Sequence, residues 1–122
     1  MFEQWLRFHQ EHELLKIKLE HFFLMYSVNL NTYTVCYILK DQTNLELRVS
    51  DLSQKLGLST SATSRLAAKI EAETGYVRRE LCEEDNRALY VVLTTKGRAF
   101  LDKVEQELHL FLAEEEICKS LL

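Results

Sequence analysis

The sequence has 122 residues, 47% of them hydrophobic and 28% charged, which is the composition of a single globular domain with a sizeable core. It contains no proline and only 3 glycines, so long flexible linkers are excluded and helices can run without interruption. The formal net charge is −4, and the first residues lack the basic start and apolar block of a signal peptide. Because no apolar run is long enough to span a bilayer, we expect a cytoplasmic protein without membrane association.

The chain is predicted to begin with a long helix over residues 1–28. One stripe of mostly apolar and aromatic side chains recurs at alternating intervals of three and four residues, the pattern of a single helix face: Trp5, Phe8, His12, Leu15, Leu19, Phe22 and Tyr26. So regular a stripe favours packing against a partner helix. Asn29 and Asn31 interrupt the pattern, and the hydroxyl of Thr32 is predicted to cap a second helix that ends near Asp41.

A helix-turn-helix is predicted between residues 47 and 74. A short extended piece at the start of this range leads into a helix that Ser50 can cap. Gly57 can adopt the left-handed conformation that ends a helix, and Ser59 can cap the next helix, which runs to about Thr74. Two helices joined by a three-residue turn that contains glycine have the layout of this motif.

The second of these helices separates into two faces at about 100° per residue. One face is predicted to pack inward: Ala62, Thr63, Leu66 and Ile70. The opposite face is small, rich in hydroxyls and basic: Thr60, Ser61, Ser64, Arg65 and Ala68, with Lys69 at its edge. Small side chains let a helix enter the major groove of DNA, hydroxyls suit phosphates and base edges, and arginine can pair with guanine. An ordinary solvated face is the alternative interpretation.

Two strand-like segments follow, Tyr76–Cys82 and Ala88–Leu93, both rich in β-branched and aromatic residues. The polar residues 83–87 join them, so a β-hairpin, or wing, is predicted beside the helix-turn-helix. Arg87 would project from its tip, where a narrow minor groove attracts arginine. Asp85, two residues earlier, is predicted to share a strand face with Arg87 and to hold its guanidinium. A plain turn with both side chains in solvent is the alternative.

A last helix is predicted after Thr94, a good N-cap, with a second apolar stripe. We expect residues 1–28 and 95–122 to form a helical dimerisation region and residues 32–94 a winged helix-turn-helix module, within one domain over residues 1–122. The fold class is therefore mainly α with a small β-hairpin. Packing of both helices on their own module in a monomer is the alternative. The predicted dimerisation residues are Trp5, Phe8, Leu15, Leu19, Leu101, Val104, Leu108 and Phe111.

Charge is distributed unevenly along the chain. Between Leu45 and Phe100 there are nine basic and eight acidic residues, so the acidic surplus lies toward the two ends. A basic middle segment is compatible with nucleic-acid binding despite an acidic total. Chance clustering on a solvated surface would look the same, so charge alone does not decide the function.

Four short segments resemble the MarR family of bacterial transcriptional regulators. They are Leu52–Ser59 (LSQKLGLS), Ser64–Leu66 (SRL), Asp85–Ala88 (DNRA) and Leu93–Gly97 (LTTKG). The last two reproduce the D-x-R-A wing of that family and its L-T-x-x-G entry into the following helix. The motifs cover about residues 45–111, and the flanking helices match by arrangement.

The resemblance implies a sequence-specific regulator that binds double-stranded DNA as a homodimer on a pseudo-palindromic operator, usually as a repressor. It also implies release from DNA when a small phenolic or lipophilic effector enters a crevice between the dimer helices and the winged module. No cofactor is predicted. The resemblance assigns DNA contact to Thr60, Ser61, Ser64, Arg65 and Arg87, with Asp85 as the support of the wing arginine.

Other sensing chemistry is weighed against simpler interpretations. His9 and His12 lie one helical turn apart and could share a metal with Glu13 or His109, but a hydrogen-bonded core histidine is more common on an apolar stripe. No metal site is predicted. The three cysteines, Cys36, Cys82 and Cys118, include no CxxC pair. Cys82 has mostly acidic neighbours and Cys36 lies in an apolar helix, neither of which favours a reactive thiolate.

Two further classes of function are considered. An enzyme is not expected, because the sequence contains no phosphate-binding loop, nucleophile elbow or paired catalytic carboxylates. A winged helix that binds another protein instead of DNA is the main alternative, supported by the acidic total and by Glu83 and Glu84 at the wing. Salt dependence separates the two, because phosphate contacts make affinity fall steeply with salt.

Overall fold

The computed structural model describes residues 1–115, and the predictions for residues 116–122, including Cys118, lie outside this range. Within it the chain forms five α-helices and one three-stranded antiparallel sheet, so the predicted fold class is confirmed. The elements in chain order are α1 (Phe2–Leu24), α2 (Leu30–Leu39), β1 (Glu46–Arg48), α3 (Val49–Leu56), α4 (Thr60–Thr74), β2 (Val77–Cys82), β3 (Ala88–Leu93) and α5 (Thr95–Ala113).

The chain divides into two units, with one boundary after Leu30 at the start of α2 and the other after Lys103 within α5. Asn31–Lys103 form one unit, called here the winged unit. Met1–Leu30 and the chain from Val104 onward form the other, called the helical unit.

The sheet of the winged unit has the order β1-β3-β2, so the predicted hairpin gains a third strand. In β3, Tyr90 lies opposite Arg48 of β1 on one side and Glu80 of β2 on the other. Val91 of β3 and Val77 of β2 are buried, as β-branched side chains on the covered face of a sheet should be. The sheet therefore fixes the start of α3 beside the base of the wing.

Helices α3 and α4 pack on each other and on the sheet as the predicted helix-turn-helix. Gly57 has φ 69°, the left-handed conformation expected at the end of α3. The Ser59 hydroxyl accepts a hydrogen bond from the Ala62 amide at 3.1 Å, which confirms Ser59 as the cap of α4. Leu52 and Ala67 are buried, and complete burial of one leucine contributes about 1.5–3 kcal/mol to folding.

The predicted cap at Thr94 is also confirmed. Its hydroxyl accepts from the amide of Gly97 at 3.1 Å and donates to the carbonyl of Gly75 at 2.7 Å. The Thr94 amide in turn donates to the Tyr76 carbonyl at 3.0 Å. One threonine thus joins the end of α4, the start of β2 and the first turn of α5.

Two predicted helix starts are wrong. Helix α2 begins at Leu30, so Thr32 lies buried within its first turn and not at the N-cap position. The Leu30 amide donates a hydrogen bond to the Glu20 carboxylate at 3.2 Å. Helix α3 begins at Val49 instead of after Ser50. Arg48 occupies its N-cap position in an extended conformation, with no side-chain capping bond, because β1 runs directly into the helix.

Within the helical unit, contacts join α1 to the C-terminal part of α5. The rings of Phe22 and Phe111 lie 5.1 Å apart, and the ammonium of Lys18 lies 3.1 Å from the Glu115 carboxylate. In the N-terminal half of α1, residues 2–14 are all exposed. No helix within residues 1–115 combines the length and apolarity needed to cross a bilayer.

Candidate nucleic-acid interface

The outer face of α4 carries the side chains that the sequence assigned to DNA contact. Thr60, Ser61, Arg65 and Lys69 are exposed and Ser64 is half-buried. Small hydroxyl side chains precede the basic ones along this face, so the N-terminal half of α4 can approach a surface closely.

The buried face of α4 is shifted relative to the predicted one. Thr63 and Ile70 are buried as predicted, but Ala62 and Leu66 are only half-buried and Ala67 takes the central buried position. The buried positions follow 4-3 spacing, so the packed face is centred on Ala67, a residue that the prediction placed on neither face. The Thr63 hydroxyl donates to the Ser59 carbonyl at 2.9 Å, which satisfies this buried polar group.

The tip of the wing places a positive charge in solvent. Asn86 and Arg87 have φ of 55° and 60°, so both adopt the left-handed conformation of a tight hairpin turn. Arg87 is exposed and forms no ion pair with any other residue of the described chain. Its guanidinium is therefore available to an outside partner.

The predicted role of Asp85 in holding Arg87 is wrong. Asp85 lies in a 3-10 turn over Glu83–Asp85, not on a strand, so it shares no strand face with Arg87. Its carboxylate instead lies 3.1 Å from Nε of Arg48 and accepts a hydrogen bond from the Tyr90 hydroxyl at 2.8 Å. This hydrogen bond raises the pKa of Tyr90 and keeps its hydroxyl a donor.

Arg48 is the residue that sequence reasoning missed. It lies beside the wing only because β1 pairs with β3 and brings it opposite Tyr90. A three-residue strand carries too weak a pattern for this pairing to be read from the sequence. The sequence feature that could have drawn attention to Arg48 is its position immediately before the helix-turn-helix.

Ion pairs neutralise other arginines of the winged unit. Nε of Arg78 lies 2.6 Å from the Glu80 carboxylate, and Nε of Arg79 lies 2.8 Å from that of Glu71. The hydrogen bond from Arg79 lowers the pKa of Glu71, so this pair is ionised at neutral pH. Within residues 1–115, by contrast, no carboxylate pairs with the three predicted DNA-contacting cations: Arg65, Lys69 and Arg87.

The predicted dimerisation residues fall into three sets by exposure. Trp5 and Phe8 are exposed, whereas Leu15, Leu19 and Phe111 are half-buried. The remaining three are buried within the single chain and present almost no surface to a partner: Leu101, Val104 and Leu108. The 3-4 spacing of the apolar residues in α5 therefore arises from packing within the chain.

The sensing residues are placed differently from one another. His9 stacks on Trp5 with ring centroids 5.2 Å apart, and Nδ1 of His12 lies 3.8 Å from the Glu13 carboxylate. In the part of the chain that the structure describes, His, Cys, Asp and Glu side chains form no group of three or more that could hold a metal ion. Burial raises the pKa of the Cys36 thiol to about 12, so it stays protonated at neutral pH.

The chain is similar to known regulators in both sequence and structure. It is 30% identical to the HTH-type transcriptional regulator PapX of Escherichia coli over 93 residues, which are 76% of this chain and 56% of PapX. It superposes with a TM-score of 0.87 on AbsC, a MarR family transcriptional regulator from Streptomyces coelicolor, at 28% identity over 98% of this chain and 78% of AbsC. The chain has the MarR fold.

A second solved structure of a MarR family regulator shares this fold. Sco3205, a MarR family transcriptional regulator from Streptomyces coelicolor in complex with DNA, superposes with a TM-score of 0.84 over 93% of this chain and 71% of Sco3205. At 22% identity this likeness is one of fold. No family model matches the sequence, and the chain spans little more than half the length of PapX.

Proposed function

We propose that this protein is a sequence-specific double-stranded DNA-binding regulator of transcription. The observation that carries the proposal is the unpaired, exposed set of cations on α4 and the wing, Arg65, Lys69 and Arg87, next to the hydroxyl-rich N-terminal half of α4. Arginine and small hydroxyl side chains are the groups that read base edges and phosphates. The solved DNA complex of Sco3205, which has the same fold, supports the same activity here.

We further propose that the protein acts as a homodimer on a pseudo-palindromic operator. Large apolar side chains on the N-terminal part of α1 are exposed, with Phe2 at 71%, Trp5 at 55% and Phe8 at 59%. Exposed apolar patches of this kind mark interaction surfaces. A second copy would place two copies of α4, the proposed recognition helix, on successive half-sites, about one helical turn of DNA apart.

The mode of regulation rests on the family resemblance. We propose that the protein represses transcription and that a small phenolic or lipophilic effector releases it from DNA. Titration of phenolic carboxylates into the preformed complex tests this point: release at concentrations that leave the protein folded supports it, and unchanged binding contradicts it.

The experiment that tests DNA recognition compares two arginines. A duplex selected from a random pool by the wild-type protein is titrated by fluorescence anisotropy beside its scrambled sequence. Arg65→Ala should lose about ten- to a hundredfold in affinity for the selected duplex and little for the scrambled one, because the arginine would pair with a base. Arg87→Ala should weaken both to a similar extent. Arg98→Ala, which removes the same charge from α5, is the control.

Two results would overturn the assignment. Equal, small effects of Arg65→Ala and Arg87→Ala would show that α4 and the wing do not form the interface. Failure of the folded wild-type protein to select any duplex would favour the alternative, a winged helix that binds protein, for which the exposed Glu83 and Glu84 would be the first residues to change.

A further inference from the structure

An open crevice of about 230 Å³ lies between the wing and the helix-turn-helix. Its lining comes from the start of α3, the N-terminal half of α4 and the first residues of β3: Arg48, Val49, Ser50, Thr60, Ser64, Ala88 and Leu89. Two of these residues, Thr60 and Ser64, belong to the proposed DNA-contacting face. The crevice therefore continues that face toward the wing.

The crevice is lined by hydrogen-bond donors that have no partner in the fold. Within residues 1–115 the side-chain hydroxyls of Ser50, Thr60 and Ser64 take part in no hydrogen bond. Arg48 uses Nε toward Asp85, which leaves the other four N–H groups of its guanidinium for a further acceptor. A cation surrounded by hydroxyls has the chemistry of a site for a phosphate oxygen.

The guanidinium of Arg48 is held in place by its neighbours. Asp85, which forms the ion pair with Arg48, also accepts a hydrogen bond from the Tyr90 hydroxyl at 2.8 Å. Tyr90 in turn lies opposite Arg48 in the sheet. A long side chain fixed in this way loses less conformational freedom when it binds a ligand. The same contacts tie the turn that precedes Arg87 to the start of α3.

The position of the crevice selects its ligand. With α4 in a major groove and the wing tip in the adjacent minor groove, as the sequence predicts, the sugar-phosphate backbone that separates the two grooves must pass between them. That is where Arg48, Ser50 and Ser64 lie. Base edges are presented inside the grooves, so the group that reaches the crevice is a phosphate.

We propose that Arg48 binds a backbone phosphate of DNA in this crevice, assisted by the hydroxyls of Ser50 and Ser64, with Asp85 and Tyr90 as positioning residues. The proposal rests on the proposed DNA-binding function and adds a contact that the sequence motifs do not include. It also gives Asp85 a role different from the predicted support of Arg87.

The test measures the salt dependence of binding. Each phosphate contact steepens the plot of log affinity against log salt by roughly 0.9. Arg48→Gln should reduce the slope by about that amount, so that its affinity deficit relative to wild type shrinks about threefold between 50 and 200 mM salt. Arg78→Gln is the matched control, because Arg78 is also a half-exposed arginine paired with a carboxylate but lies at the end of β2 away from the wing tip. Its slope should equal that of wild type.

Two companion variants separate binding from folding. Arg48→Lys keeps the charge and should restore most of the slope. Tyr90→Phe should lower DNA affinity in the wild-type background, because Tyr90 positions Arg48. Combined with Arg48→Gln, the same substitution should have no further effect. A purely structural role of Tyr90 would lower affinity equally in the two backgrounds. Thermal melting of each variant shows that it is folded.

The outcomes distinguish this proposal from the function on which it rests. A wild-type protein that binds no duplex contradicts the DNA-binding function and the phosphate site together. A steep wild-type slope that Arg48→Gln leaves unchanged overturns the phosphate site alone. A reduced slope for Arg48→Gln with an unchanged slope for Arg78→Gln supports it.

Discussion

The core of the winged unit and helix α1 of the helical unit differ in how far their large apolar side chains are buried. In the winged unit Leu52, Val77 and Val91 are buried among α3, α4 and the sheet. In the helical unit the N-terminal half of α1 exposes Phe2, Trp5 and, further along, Ile17 at 63%. Exposed apolar side chains at this density favour association with another apolar surface, which supports the proposed homodimer.

The polar residues of the two units differ in a corresponding way. The winged unit neutralises Arg78 and Arg79 within the fold and leaves Arg65 and Arg87 in solvent. On α1 the exposed charges are interspersed with aromatic rings, two of which stack at 5.5 Å, Phe2 and Trp5. The first surface suits an anionic partner and the second an apolar one. The predictions below test this division of roles.

The largest expected effect concerns the start of α5 in the winged unit. A Cβ at Gly97 would overlap the backbone carbonyl of Tyr76, which cannot move without disturbing the hydrogen bond to Thr94. Gly97→Ala should therefore lower the free energy of unfolding by roughly 3 kcal/mol, the upper part of the range for overpacking. This contact also explains the glycine in the Leu93–Gly97 motif.

Gly57→Ala is the control for that measurement. A side chain at Gly57 is also unfavourable, because φ is 69°, but no atom lies within 4 Å of an added Cβ. Gly57→Ala should therefore lower the free energy of unfolding by only about 1 kcal/mol, the cost of a left-handed alanine. Chemical denaturation of both variants checks the difference, and equal losses would contradict the packing argument.

A smaller effect on folding, but a large one on assembly, is expected on α1. Trp5→Ser combined with Phe8→Ser should dissociate the proposed homodimer at concentrations where the wild-type protein sediments as a dimer, because the exposed rings would form its apolar contact. Lys16→Ser on the same helix, also exposed, is the control and should remain dimeric. A double variant that stays dimeric would place the interface elsewhere.

The prediction with the smallest effect at neutral pH is a pH dependence in the winged unit, which appears only in alkaline solution. The pKa of the Cys36 thiol rises from 9.0 to about 12 because the group is buried. Below the pKa of the unfolded state the thiol is protonated in both states and the fold keeps its full stability. That stability is lost as pH rises between about 9 and 12, because the thiol then ionises in the unfolded chain but not in the folded one. The melting temperature of Cys36→Ala should therefore fall less than that of wild type across this range. The same comparison with Cys82→Ala, at a half-buried position, controls for loss of a sulfur; identical profiles for Cys36→Ala and wild type would contradict the prediction.

Local patterns predicted the elements that form from neighbouring residues. Ser59, Gly57 and Thr94 mark helix ends in the sequence because capping depends on backbone groups only a few residues away. The hairpin follows equally from two β-rich segments around a polar turn. The exposed candidates on α4 are also where the helical periodicity places them.

Features that depend on distant residues could not be predicted in the same way. The Leu30 amide at the start of α2 donates to Glu20, ten positions earlier in α1, and Thr32 lies inside the helix and not at its start. Asp85 contacts Arg48 across 37 positions of sequence, through a strand pairing too short to leave a pattern. Periodicity also does not distinguish an apolar stripe that packs within the chain, such as Val104, from one that faces a partner.

The most direct measurement of the central claim is a fluorescence-anisotropy titration of the wild-type protein against the DNA upstream of its own gene and against a scrambled duplex, at two salt concentrations. The account predicts tighter binding to the upstream sequence, saturation at two copies per duplex, and an affinity that falls steeply with salt. A folded protein that binds neither duplex, or binds both equally without salt dependence, would contradict it.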